Sequence, residues 1–166
     1  AGTGATVGKW AGREHSSPGG FGFAVAEDEG YRVAAVAVVN AVGDVLARDG
    51  SVVAGTTSPN PSYRPPASPD TPLPENTVLA LVAVQGSFDK REVRWLASRG
   101  SDGITVAVRP AHTRYDGDVV FAVAAPGASP SDPADLDRLG PLATEAVAEA
   151  VRAAVRGDDQ AATRVR

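Results

Sequence analysis

The chain has 166 residues, 43% of them apolar and only 5% aromatic, so its core must be built mainly from Val, Ala and Leu. A net charge of −4 with no long basic run argues against a nucleic-acid partner, and no apolar stretch approaches the ~20 residues that cross a bilayer. Cysteine is absent, which removes disulfides, thiolate metal sites and a cysteine nucleophile from consideration.

Residues 1–20 carry glycines at 2, 4, 8, 12, 19 and 20, a backbone-led loop with room for short regular pieces only. A short strand is expected from Phe21 to Ala26. The run Arg32–Asn40 is almost wholly apolar and rich in Val, which predicts a strand buried on both faces. Val45–Leu46 and Ser51–Ala54 flank Asp49-Gly50, a hairpin turn signal. Seven of the 22 residues from 55 to 76 are then proline, which favours extended, solvated chain; a loop this long in a compact domain is functional or disordered.

Order returns abruptly at Thr77–Val84, a second apolar strand. Helical spacing of Val93, Leu96, Ile104 and Val108 predicts a helix over 89–108 that Asp89 caps and that Gly100 and Gly103 weaken. Val119–Ala125 reads as a third apolar strand, entered through Asp116-Gly117-Asp118, and 129–135 as a proline-containing loop. From Pro141 to Arg156 one apolar stripe (Leu142, Ala146, Val147, Ala150, Val151, Ala154) predicts a helix. Apolar strands covered by helices give an α/β layered domain. There is no Met, and the opening Ala-Gly-Thr-Gly has neither the charged nor the apolar region of a signal peptide. The chain therefore reads as a piece of a longer protein or a processed product, expected in the cytoplasm, with export left open.

Several motifs fail on spacing. Gly4-Ala-Thr-Val-Gly8-Lys9 lacks the first glycine of a phosphate loop and has Trp10 where a hydroxyl must hold magnesium. The same glycines miss dinucleotide-binding spacing. His15 and His112 have no carboxylate at zinc-ligand spacing, and Asn60-Pro-Ser62 is barred from glycosylation by its proline. No cofactor and no metal is expected.

The junction Asn76-Thr77 differs in kind, because a hydroxyl residue opens an apolar strand directly after the proline-rich segment. If the bond before Thr77 breaks, the residue gains a free α-amine beside its own hydroxyl, the activation pattern of an amino-terminal Thr nucleophile. The same hydroxyl can make the first cut by attacking the Asn76 carbonyl, and water then hydrolyses the ester. On the residues alone the signal is weak, since many strands open with Thr for its β-propensity.

The segments Ala1–Lys9, Gly19-Gly20-Phe21-Gly22 and Val38-Val39-Asn40-Ala41-Val42-Gly43-Asp44 resemble the DmpA-type aminopeptidases. That family includes L-aminopeptidase/D-esterases, β-peptidyl aminopeptidases and nylon-oligomer hydrolases. Glu75-Asn76-Thr77 is similar to its self-cleavage site. Arg109-Pro110-Ala111-His112-Thr113 with Asp116-Gly117-Asp118 is similar to a later block, in the same order, so the likeness covers residues 1 to about 125.

The resemblance implies a self-processing amide hydrolase of the αββα sandwich type, related to amino-terminal-nucleophile hydrolases and incomplete without a preceding half. Residues 1–76 would belong to the larger subunit and 77–166 would form the smaller one, both within one domain. Thr77 would be the nucleophile and Asn76 the new carboxyl terminus. Lys9 would lie beside the Thr77 hydroxyl and assist proton transfer, and Asn40 would orient or stabilise the oxyanion. Asp116 and Asp118 would be acidic groups of the site, or simply a turn. Without the family, Lys9 reads as a solvated surface lysine and Asn40 as a strand-ending residue.

The resemblance also implies a homo-oligomer, a tetramer of processed protomers, acting on short peptides, amino-acid amides or polyamide oligomers. Two departures stand out: the preceding half is absent, and Val78 replaces a Thr that commonly follows the nucleophile. A self-cleaving acyltransferase of the ornithine acetyltransferase type and a non-catalytic truncated fragment are the rival readings.

Overall fold

A computed structural model describes residues 2–64, 76–130, 132–156 and 163–165. The strands are β1 (Thr6–Val7), β2 (Ser17–Pro18), β3 (Gly20–Asp28), β4 (Tyr31–Asn40), β5 (Asp44–Leu46), β6 (Val52–Ala54), β7 (Thr77–Ser87), β8 (Val108–Arg109), β9 (Val119–Pro130) and β10 (Thr163–Val165), and the helices are α1 (Lys90–Ala107) and α2 (Pro133–Arg156). A five-stranded sheet runs in the order β10-β3-β4-β7-β9, beside a three-stranded sheet β6-β5-β8 and a small pair β1-β2. The β3-β4-β7 ladders are antiparallel, and β9 lies parallel to β7. The proline-rich stretch between 65 and 75 lies outside the described residues.

Both helices pack on one face of the large sheet. Val33, Ala35, Ala37 and Val39 of β4 and Val78, Ala80, Val82 and Val84 of β7 meet Leu96 and Ile104 of α1 and Ala143, Val147 and Val151 of α2. Small side chains bring these layers close. A Cβ on Gly22 would sit 2.0 Å from the Ala150 carbonyl oxygen, so α2 rests directly on the β3 backbone. Asp89 caps α1 by accepting from the Arg91 and Glu92 N–H groups while Glu92 reaches back, a reciprocal box that contributes about 1 kcal/mol.

Four expectations are corrected. The central strands are not buried on both faces: their burial alternates, and Leu79 (46% exposed) and Phe121 (59%) stand out on the face away from the helices with Phe21 and Val123. Gly100 and Gly103 do not interrupt α1. They are where it touches its neighbours, since a Cβ at Gly103 would lie 2.3 Å from the Thr144 carbonyl oxygen and one at Gly100 would lie 2.8 Å from Val82. The loop expected at 129–135 is strand up to Pro130 and helix from Pro133. Finally, α2 starts at Pro133 and takes Pro141 inside it. Leu136 and Leu139 extend its apolar stripe upstream, and the bond that Pro141 cannot make belongs to the exposed residue 137.

Candidate active site

Strand register assembles the site. In the β4-β7 ladder Asn40 pairs with Thr77, the last residue of one strand with the first of the next. On the other side of β7, Asn76 and Asp116 form a parallel bridge just before the β7-β9 ladder begins. The Asn76-Thr77 peptide is thereby clamped between two strands at their common end. Asn76 is buried (1% exposed) and Thr77 is partly open.

Lys9 reaches this end from the glycine-rich opening segment. Gly8 holds φ +77°, and a Cβ there would lie 2.2 Å from the backbone of Gly55, so only glycine lets the two loops touch. The Gly8 N–H donates to Gly43 O and that of Trp10 to Val42 O, which fixes Lys9 over the end of β4. Lys9 is buried (2% exposed) rather than solvated. Its Nζ donates to Asn40 Oδ1 (2.7 Å), the Asn40 carbonyl (3.1 Å) and Asn76 Oδ1 (3.0 Å), all neutral amide oxygens. Burial pulls its pKa down to about 8, the Arg13 charge pulls the same way, and Asp116 opposes both.

The two aspartates hold backbone. Asp116 accepts from the Val42 N–H through one oxygen and from the Thr113 N–H and hydroxyl through the other. Asp118 accepts from the Val78 N–H (2.7 Å), one residue past Thr77, and its other oxygen meets His112 Nδ1 at 2.8 Å. Burial pushes the Asp118 carboxyl above the usual range and the Asp116 charge adds to this, against the hydrogen bonds from Val78 and His112.

The Asn76 carbonyl oxygen accepts two hydrogen bonds, from Thr77 Oγ1 (2.7 Å) and from the Gly117 N–H (2.7 Å). The amide that would be cut is therefore polarised by one donor from its own hydroxyl and one from a neighbouring loop. Among the described residues, no group of three or more His, Asp or Glu is placed to hold a metal ion. The structure thus gathers Lys9, Asn40, Asn76, Thr77, Asp116 and Asp118 at one end of the sheet. The sequence reading assigned no role to His112 or Gly117. Both lie inside blocks it quoted, but a backbone N–H leaves no mark in residue type, and the histidine was weighed only as a zinc ligand.

The sequence matches peptidase family S58 over residues 1–165. The chain is a member of peptidase family S58. This family S58 chain is 32% identical over 159 residues to an uncharacterized aminopeptidase of Mycobacterium leprae, covering 82% of the chain and 44% of that relative. An uncharacterized aminopeptidase of Mycobacterium tuberculosis is 34% identical over 121 residues, 64% of this chain and 35% of that protein. The family S58 chain therefore spans less than half the length of these relatives.

Its fold is similar to that of the L-aminopeptidase D-Ala-esterase/amidase of Ochrobactrum anthropi, described as a prototype of the serine aminopeptidases and a variant of the Ntn hydrolase fold. The TM-score is 0.65 at 21% identity, over 92% of this chain and 42% of that one. A β-aminopeptidase of Burkholderia sp. gives 0.60 at 23% identity, over 92% and 44%.

Proposed function

We propose that this chain is the catalytic portion of a self-processing peptide and amide hydrolase whose nucleophile is Thr77. The single observation that carries the reading is the clamped Asn76-Thr77 amide, with the Thr77 hydroxyl 2.7 Å from the oxygen of the carbonyl it would attack. Family membership and relatives described as aminopeptidases support the reaction class.

In self-cleavage, Thr77 Oγ1 adds to the Asn76 carbonyl carbon while neutral Lys9 takes up the hydroxyl proton and hands it to the Thr77 nitrogen, which leaves as an amine. Water then adds to the ester, its oxygen stays in the new Asn76 carboxylate, and the hydroxyl regains a proton. Substrate turnover repeats the same steps: the acyl group moves to Thr77 Oγ1, the amine leaves first, and hydrolysis releases the acid. Lys9 serves proton transfer in its neutral form, which burial brings within reach near pH 8. Asn40 fixes the Lys9 ammonium and the end of β4, and Asp118 fixes the peptide that follows the nucleophile.

The exposed apolar face formed by Phe21, Leu79, Phe121 and Val123, in a chain that spans under half of its relatives, fits a protein in which a further segment covers this face and supplies substrate walls. Short peptides, amino-acid amides and polyamide oligomers all remain within the proposed substrate class, and processed protomers are expected to assemble as oligomers.

The test is p-nitroanilide release from amino-acid anilides by the full-length protein in the absence of any acyl acceptor. Steady release that Thr77→Ala abolishes is expected. Release only when an amine acceptor is added would assign the site to acyl transfer instead.

A further inference from the structure

We propose that the backbone N–H of Gly117 is the oxyanion donor of the self-cleavage step, so that the turn between the two aspartates is a working part of the site. The inference rests on the reading of Thr77 as the self-cleaving nucleophile. The Gly117 N–H already donates to the Asn76 carbonyl oxygen at 2.7 Å in the uncut chain, and attack by Thr77 turns this same oxygen into the tetrahedral oxyanion. When Thr77 Oγ1 swings from that oxygen to the carbonyl carbon, the oxygen loses its hydroxyl donor just as it gains charge. Gly117 is the donor that does not have to move.

Its neighbours hold it there. Asp116 on one side is tied to Val42 N and to Thr113 N and Oγ1, and Asp118 on the other to Val78 N and His112 Nδ1. The two carboxylates therefore anchor the loop to β4's exit, to its own turn and to β7, which preorganises the one N–H between them. The residue type follows from the same geometry. A Cβ on Gly117 would stand 3.1 Å from Thr77 Oγ1, close enough to push on the hydroxyl, and at ordinary contact distance (3.8 Å) from the Asn76 carbonyl oxygen.

Asn40 is the side chain that family resemblance offers for this role: its Oδ1 accepts from Lys9 Nζ and the Thr6 N–H, and only its Nδ2 could donate to an oxyanion. The oxyanion assignment given to it in the sequence reading is thus supplemented by a donor from the main chain.

The experiment replaces the N–H by an ester oxygen and leaves every side chain in place. The full-length precursor is made by cell-free translation with a suppressor tRNA that inserts either glycine or glycolic acid at position 117, the latter giving an ester without the N–H. Lactic acid at Ala97, inside α1 and away from the site, is the control for a backbone ester as such. Cleavage of the labelled precursor is followed on gels. The expected result is normal cleavage with glycine at 117 and with lactic acid at 97, and cleavage slowed by about a hundredfold or more with glycolic acid at 117. Cleavage within about threefold of the glycine control, or equal slowing by the ester at 97, overturns the role of Gly117 and leaves Thr77 untouched. A glycine control that stays whole overturns the self-cleavage reading, and the role of Gly117 with it.

Discussion

At the scale of single residues, Lys9 is the group whose behaviour with pH distinguishes a proton carrier from a structural cation. A lysine whose contacts among the described residues are three amide oxygens and no carboxylate is desolvated without full compensation, so its ammonium is disfavoured and its pKa falls to about 8. Below pH 8 the charged form dominates and the base is absent, so the single-turnover rate of self-cleavage should rise about tenfold per pH unit up to pH ~7 and level off above pH ~9. Lys9→Arg, which stays protonated throughout, should remove this rise and slow cleavage by about a hundredfold or more. Stopped samples of freshly translated precursor across pH 5–10 read this directly, and a flat profile would assign Lys9 to structure alone.

Asn76 and Thr77 stood out in the sequence as a hydroxyl opening an apolar strand after a proline-rich stretch, whereas Lys9 and Asn40 were marked only by the family resemblance. Asp116 and Asp118 were legible as acids but not in what they do. Their oxygens are spent on backbone N–H groups, the Thr113 hydroxyl and His112 Nδ1, and only coordinates reveal such partners.

At the scale of elements, the strands that build the site were readable from apolar runs, but their exposure was not. Val36 and Val38 look as apolar as Val33 and Val39, and nothing in a one-dimensional pattern says that only one face is covered by helices. Proline misled in the opposite direction. Pro141 marked a helix start on propensity, whereas the stripe through Leu136 and Leu139 carried the helix eight residues further back to Pro133.

Glycine misled in the same way, since its cost in an isolated helix hides its value at a helix crossing. Gly103 meets the Thr144 carbonyl of α2 with no room for a methyl group. Gly103→Ala should improve helix propensity yet lower stability by about 1–3 kcal/mol, because α1 and α2 must separate. Urea unfolding of the full-length protein measures this, and an unchanged or raised midpoint would show that the contact yields easily. Arg152 illustrates another feature beyond sequence: it is buried inside α2, donating to the Leu46 carbonyl (2.8 Å) and to Glu149 (2.7 Å), which ties β5 to the helix layer.

At the scale of the whole molecule, the family and the α/β layering were legible from ordered motifs, and the chain belongs to peptidase family S58. The fold neighbours share its architecture at 21–23% identity. Four short strands had no counterpart in the sequence reading, β1, β2, β8 and β10, because two or three residues carry no period of their own. The face away from the helices exposes Phe21, Leu79, Phe121 and Val123, and the site lies at the end of the strands that bear this face.

All of these scales meet at one bond. Intact-mass spectrometry of the purified full-length protein, with sequencing of each new amino terminus, tests it most directly. A species that begins at Thr77, absent from Thr77→Ala, is the predicted result. A chain that stays whole through long incubation at pH 9, or a cut at any other bond, would contradict the account.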